Sequence, residues 1–173
     1  LLIGTAVGSS PFLNDGKYKK VLAQEFNALT IENDLKFARV HPQRDVYNFL
    51  IPDVMVKFAQ ENNMKVRGHT LVWYRNLPDW ITNGHYSKEQ LKAILKDHIQ
   101  TVVKRYKGRI YAWDVVNEAY NADGTLRDNI FLKVIGPDYI ELAFKWAHEA
   151  DPNALLFYND YGNEGINEKS DAI

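Results

Sequence analysis

Short apolar runs alternate along the chain with stretches whose apolar positions recur at three- and four-residue spacing. The first rhythm belongs to buried strands and the second to amphipathic helices. The runs predict strands over residues 2–7, 28–31, 66–72, 110–116 and 154–158. Tyr18, Val21, Leu22 and Phe26 stripe a helix over 17–26. Val54, Met55, Phe58 and Ala59 stripe a second over 52–62, opening on Pro52, a residue suited to a first turn. Ser87-Lys88-Glu89-Gln90 matches a capping box, and the helix it opens carries Leu91, Ile94, Leu95, Ile99, Val102 and Val103 at helical spacing. A fourth helix is expected over 138–150, between Gly136-Pro137 and Pro152, and a fifth begins near Asn167.

The order is strand–helix four times over, closed by a fifth strand. Continuous apolar strands of this kind are expected in a parallel sheet with both faces buried. Two architectures fit: a doubly wound open sheet, or part of a (β/α)8 barrel. Gly4 and Gly8 do not make the dinucleotide-binding turn after the first strand, which disfavours a nucleotide site. No repeat, linker or low-complexity tract divides residues 1–173, so a single domain without an internal boundary is expected.

Composition removes several classes of function. Net charge is −1 and no basic stripe stands out, so nucleic acid is not an expected partner. No apolar run is long enough for a membrane span. The absence of cysteine excludes disulfides and thiolate chemistry. The chain starts at Leu1 without a Met or a basic leader and stops inside a forming helix, so both ends read as cuts.

Polar and aromatic residues gather where strands end. The second strand runs into Glu32-Asn33, the third holds His69 and ends at Trp73, the fourth ends at Asn117-Glu118, and the fifth at Asn159-Asp160-Tyr161. Parallel strands deliver these ends to one rim, the active face of barrel enzymes. Carboxylates, amides and aromatic faces suit a sugar, and glycoside hydrolysis needs two carboxyl groups, one kept protonated to act as the acid. A metal site built on His69, Glu32, Asp114 and Glu118 is the rival, but no HExxH motif or tight histidine cluster supports it, so neither metal nor cofactor is expected.

Trp113-Asp114-Val115-Val116-Asn117-Glu118-Ala119 resembles the acid/base strand of family 10 glycoside hydrolases, the xylanase family. Thr30-Ile31-Glu32-Asn33-Asp34-Leu35-Lys36 resembles that family's second-strand segment, and Gly68-His69-Thr70-Leu71-Val72-Trp73 its third. Ala150-Asp151-Pro152, followed by Asn159-Asp160-Tyr161, resembles its fifth. The segments keep the family's order and spacing, and the resemblance covers essentially the whole chain.

The resemblance implies the first five βα units of a (β/α)8 TIM barrel and a retaining endo-1,4-β-xylanase. It makes Glu118 the general acid/base and Asn117 the amide facing the hydroxyl beside the cleaved carbon. Glu32, Asn33 and Lys36 would grip the next sugar on the non-reducing side, and His69 and Trp73 would form the floor and wall at the cleaved bond. Tyr161 would stand near the nucleophile, and Trp113 and Asp114 would be mainly structural. The partner would be xylan or xylo-oligosaccharide, and the location extracellular. Tyr74, Arg75 and Asn76 depart from the family's usual His, small polar residue and Gln, and Gly162 stands where Asn is usual.

In the family the nucleophile glutamate lies on the seventh strand, and neither Glu164 nor Glu168 matches it. The chain alone is therefore expected to be inactive. Its first and fifth strands are expected to be open edges, dependent on a missing C-terminal part or prone to self-association. Two alternatives stand beside this reading: a non-catalytic xylo-oligosaccharide-binding partial barrel, and a β-glucanase of the same architecture.

Overall fold

The computed structural model describes residues 1–173. The chain runs β1 (Gly4–Val7), α1 (Ser9–Asn14), α2 (Gly16–Glu25), β2 (Ala28–Ile31), α3 (Phe37–Val40), α4 (Leu50–Glu61) and β3 (Lys65–Trp73). It continues through α5 (Asp79–Thr82), α6 (Lys88–Arg105), β4 (Ala112–Asn117), α7 (Ile130–Val134), α8 (Tyr139–Ala150), β5 (Leu155–Asn159) and α9 (Glu168–Ala172). All neighbouring strands pair in parallel, in the order β1-β2-β3-β4-β5. Right-handed crossovers that always step the same way leave every helix on one face of the sheet. A doubly wound sheet reverses its strand order and has helices on both faces. The choice left open by the sequence is thus settled in favour of the barrel-type α/β sheet.

The long elements fall close to their expected places. The capping box is made in full: Gln90 N–H donates to Ser87 Oγ at 3.3 Å, and Ser87 N–H to Gln90 Oε1 at 2.9 Å. Asn167 caps α9 with the same reciprocal pair of bonds. β4 starts two residues later than expected because Ile110 N–H bonds back to Tyr106 at the end of α6, at 3.1 Å. α4 starts at Leu50, so Pro52 lies inside its first turn, where a missing N–H costs nothing. The short helices α1, α3, α5 and α7 are too brief to leave a periodic signal.

The helix-covered face holds the core. Val7, Leu29, Ile31, Val66, Trp113 and Val115 are at most 1% exposed and pack under α4, α6 and α8. α6 adds Leu91, Leu95, Ile99, Val102 and Val103. Gly68 is required here, because a Cβ at that position would stand 2.2 Å from the Trp113 ring. The opposite face corrects the expectation of strands buried on both sides. Thr30, Arg67, His69 and Asp114 line an open concavity there instead of an apolar core. At the sheet's β5 edge Leu155 and Phe157 are 55% and 40% exposed.

Candidate active site

The C-terminal ends of β2 to β5 converge on a cleft of about 390 Å³, open to solvent and lined by Glu32, Lys36, Arg67, His69, Asp114 and Asn159 among others. A narrow recess with no room for a water molecule lies beside it, where Trp73, Tyr74, Asn117 and Glu118 meet the apolar Val72, Val116 and Phe131. Lys36 joins the two. Its Nζ donates to Asn33 Oδ1 at 2.8 Å and stands 5.0 Å over the Trp73 ring.

Glu118 is the first residue beyond β4, whose six residues are all buried. The chain leaves the sheet through Glu118 with φ +52°, in the left-handed region that disfavours side chains with a Cβ. Surrounding bonds hold it there. Glu118 N–H donates to the Asn159 carbonyl at 2.8 Å, and Arg127 Nε donates to the Glu118 carbonyl at 3.1 Å. The next amide, Ala119 N–H, donates to Tyr158 Oη at 2.9 Å. Burial and the bond it gives Asp160 hold the Tyr158 phenol well above its ordinary range, so it stays a proton-bearing anchor. Asp160 is in turn paired with the buried Lys169. The Glu118 side chain is fixed separately, because Trp73 Nε1 donates to its Oε2 at 3.0 Å. Turned to suit its neighbours, the Asn117 amide accepts from the same indole at 3.1 Å and donates to the Asn159 carbonyl at 3.2 Å.

His69 is oriented from below. Its Nδ1 lies 2.9 Å from Asp114 Oδ2, a carboxylate oxygen that can only accept, so Nδ1 carries the proton and Nε2 is left for a ligand. Arg67 Nε donates to Asp114 Oδ1 at 3.0 Å. Asp114 is therefore more than structural support, since it holds the ring of a cleft residue. Trp113, fully buried on the helix side, fits its structural assignment.

Glu32, Lys36 and His69 thus line the cleft, with Asn33 holding Lys36, while Trp73, Asn117 and Glu118 line the adjoining recess. Tyr161 stands apart: it is 57% exposed, its hydroxyl is 3.4 Å from Arg127 Nη2, and it lines neither space. Tyr74, one of the departures from the family pattern, faces the recess beside Glu118, with Arg127 at 4.6 Å and Arg75 at 5.0 Å from its ring centre. Sequence reasoning missed Arg67 and Arg127, and placed Asn159 on the rim without giving it a role. For Arg67 a signal existed: it shares with His69 the alternate positions of one strand, which point to one face.

The family model "Glycosyl hydrolase family 10" matches residues 1–173, the whole chain. The chain belongs to glycosyl hydrolase family 10. It is 50% identical to endo-1,4-beta-xylanase B of Thermotoga neapolitana over 99% of its length, covering 50% of that protein. Native xylanase 10B from Thermotoga maritima superposes with a TM-score of 0.97 at 50% identity, over 99% of this chain and 54% of that one. Xylanase 10B from Thermotoga petrophila RKU-1, solved in complex with xylobiose, gives 0.96 at 50% identity, over 99% and 53%. The chain spans about half the length of these family 10 relatives.

Proposed function

We propose that the protein carrying this chain is an endo-acting β-1,4-xylanase that works by double displacement with retention. The observation that carries the proposal is the double fixing of Glu118, by its backbone bonds and by Trp73, at the end of β4 beside a solvent-open cleft. Glu118 gives its proton to the glycosidic oxygen as the C–O bond breaks, and a second carboxylate attacks the anomeric carbon. In the second step Glu118, now ionised, takes a proton from the water that releases the sugar. A retaining pair stands about 5–5.5 Å apart. Asp114 is unsuited to the nucleophile's role because it is engaged by Arg67 and His69, and Glu164 and Glu168 do not line the cleft. The nucleophile is assigned to a strand outside these residues.

Asn117 faces the hydroxyl next to the reacting carbon, His69 offers Nε2 to the sugar at that subsite, and Glu32, Asn33 and Lys36 take the next unit. An open cleft admits the middle of a chain, which fits endo action. A polymeric substrate that cannot cross a membrane fits an enzyme exported to meet it.

The test uses the full-length protein. Glu118→Ala should lower kcat/KM on xylan by about 10²–10⁴-fold with folding unchanged. On an aryl xylobioside whose leaving group departs without protonation, azide should restore turnover and give a glycosyl azide of retained configuration. Unchanged activity, or an inverted azide, defeats the assignment. Faster cleavage of cello-oligosaccharides than of xylan would shift the substrate to glucan. The 173-residue chain alone should bind xylotriose and release no product.

A further inference from the structure

Tyr158 and Asp160 lie on either side of Asn159, the last residue of β5, and Lys169 reaches Asp160 from α9. The side chains of Asp160 and Lys169 are 0% and 4% exposed. An ion pair taken this far out of water is weak evidence for stability, because desolvation offsets most of the attraction. The bonds around it give it another use.

Asp160 receives three donors. Lys169 Nζ and Tyr161 N–H share Oδ1, the amide at 2.8 Å, and the Tyr158 hydroxyl takes Oδ2. Lys169 Nζ also donates to the Tyr161 carbonyl at 2.7 Å and stands 4.1 Å from the Tyr161 ring centre. The carboxylate cannot turn without breaking this set. A hydroxyl has one proton to give, and here an acceptor-only group holds it. Tyr158 Oη therefore presents its lone pairs to any other neighbour. That neighbour is Ala119 N–H at 2.9 Å, in a residue 3% exposed.

The Ala119 N–H and the Glu118 carbonyl belong to one planar peptide unit. Tyr158 holds its nitrogen end, and Arg127 Nε holds its oxygen end at 3.1 Å. The unit before it is held by Glu118 N–H on the Asn159 carbonyl at 2.8 Å. Together these bonds keep Glu118 at φ +52°, a conformation it leaves for commoner ones if either plane is free to turn. Such a turn would swing the Glu118 side chain away from Trp73 and from its station beside the cleft. Tyr158, Asp160 and Lys169 line neither the cleft nor the recess, so they act on Glu118 only through its backbone.

We infer that Tyr158 is a positioning residue for proton transfer by Glu118, and that the buried Asp160–Lys169 pair sets the direction of its hydroxyl. The inference rests on the reading of Glu118 as acid/base given above. An acid must lie within hydrogen-bond reach of the oxygen it protonates, and a misplacement of about 1 Å can cost about 10²-fold.

Leaving groups separate this role from a structural one. Phenolate leaves a xylobioside slowly unless the oxygen is protonated, whereas dinitrophenolate leaves without a proton. For both substrates kcat/KM reports bond breaking from free enzyme. In the full-length protein Tyr158→Phe should lower kcat/KM on phenyl xylobioside about 10–100-fold and on dinitrophenyl xylobioside no more than about twofold. Loss of folded protein or of sugar binding would lower both by the same factor. Asp160→Asn tests the same point with Tyr158 in place. The new amide oxygen stays with Lys169 and Tyr161 N–H, so its NH2 meets Tyr158 and turns the hydroxyl proton onto Ala119 N–H. The same selective loss is expected. Glu118→Ala is the reference and should show the largest selective loss. If it does, and the two folded variants lose both substrates equally or neither, the inference is overturned and the reading of Glu118 stands. If Glu118→Ala itself fails to discriminate between the leaving groups, that reading falls and takes the inference with it.

Discussion

Val66 and Gly68 point into the helix layer, while Arg67 and His69, each one residue further on, point into the cleft. The same alternation sets Trp113 against Asp114 and Leu29 and Ile31 against Thr30. On one side the side chains are almost fully buried and apolar. On the other they are polar, partly open and bonded to one another. The pleat of a strand allows this division without any change of backbone. Stability therefore rests on one face and candidate chemistry on the other, and substitutions one residue apart should report on different properties.

The largest effect should come from the closed face. Gly68→Val would put a side chain where even a Cβ stands 2.2 Å from the Trp113 ring. Trp113 is 0% exposed and has no room to retreat. Overpacking of this severity should cost about 4 kcal/mol, read as a fall in the urea midpoint, or prevent folding. A midpoint within experimental scatter of the parent would show that the helix layer yields, and the contrast between the faces would lose its basis.

A smaller effect should follow from the polar groups that the helix layer does enclose. His41 is ordinarily half-protonated near 6.5, and burial brings it down to about 4 in the folded chain. Above 6.5 it is neutral in both states and its contribution is complete. As pH falls from 6.5 towards 4, the unfolded chain gains a proton that the folded chain resists, so stability is lost. Allowing for partial solvent screening, the loss should be about 2 kcal/mol by pH 4, levelling off within about one further pH unit. Asp97 and Asp45 face the ring and reduce the effect, and His98 acts in the same direction as His41. Comparing denaturation midpoints of the parent and His41→Phe across this window isolates the histidine, and the variant should show the flatter pH dependence. Parallel curves would mean that His41 stays solvated in the folded chain.

The helix-side pattern was legible in the sequence because burial on that face writes a continuous periodic signal. The stripes of α6 and α8 and the apolar runs of β2 and β3 lead to the observed elements within about two residues. The rim residues were legible for another reason: Glu32, Trp73 and Glu118 interrupt apolar runs where strands stop. Asp114 and Arg67 were harder. Each sits inside a strand, and a single charge in an apolar run does not declare which face it takes or what it holds. Arg127, which reaches back to the Glu118 carbonyl, depends on a contact across a loop that no local pattern encodes. The His41–His98 pair spans 57 residues and was equally hidden.

The smallest predicted effect separates function from folding most directly. Glu118 adopts φ +52°, a conformation that costs an L-residue roughly 1–2 kcal/mol and glycine almost nothing. Glu118→Gly should relieve that cost. Against the gain stands the added freedom of glycine in the unfolded chain, about 0.4–1 kcal/mol. Trp73 loses its carboxylate acceptor but keeps the Asn117 oxygen at 3.1 Å. The balance should be a stabilisation of about 0.5 kcal/mol, small in size but opposite in sign to what glycine does elsewhere. Ala147→Gly, in the middle of α8 and 0% exposed, should instead cost about 1 kcal/mol. Paired urea titrations of the two variants test the contrast. If Glu118→Gly proves as damaging as Ala147→Gly, the carboxylate helps to hold the sheet together, and the division of labour between the two faces fails at the residue where it matters most.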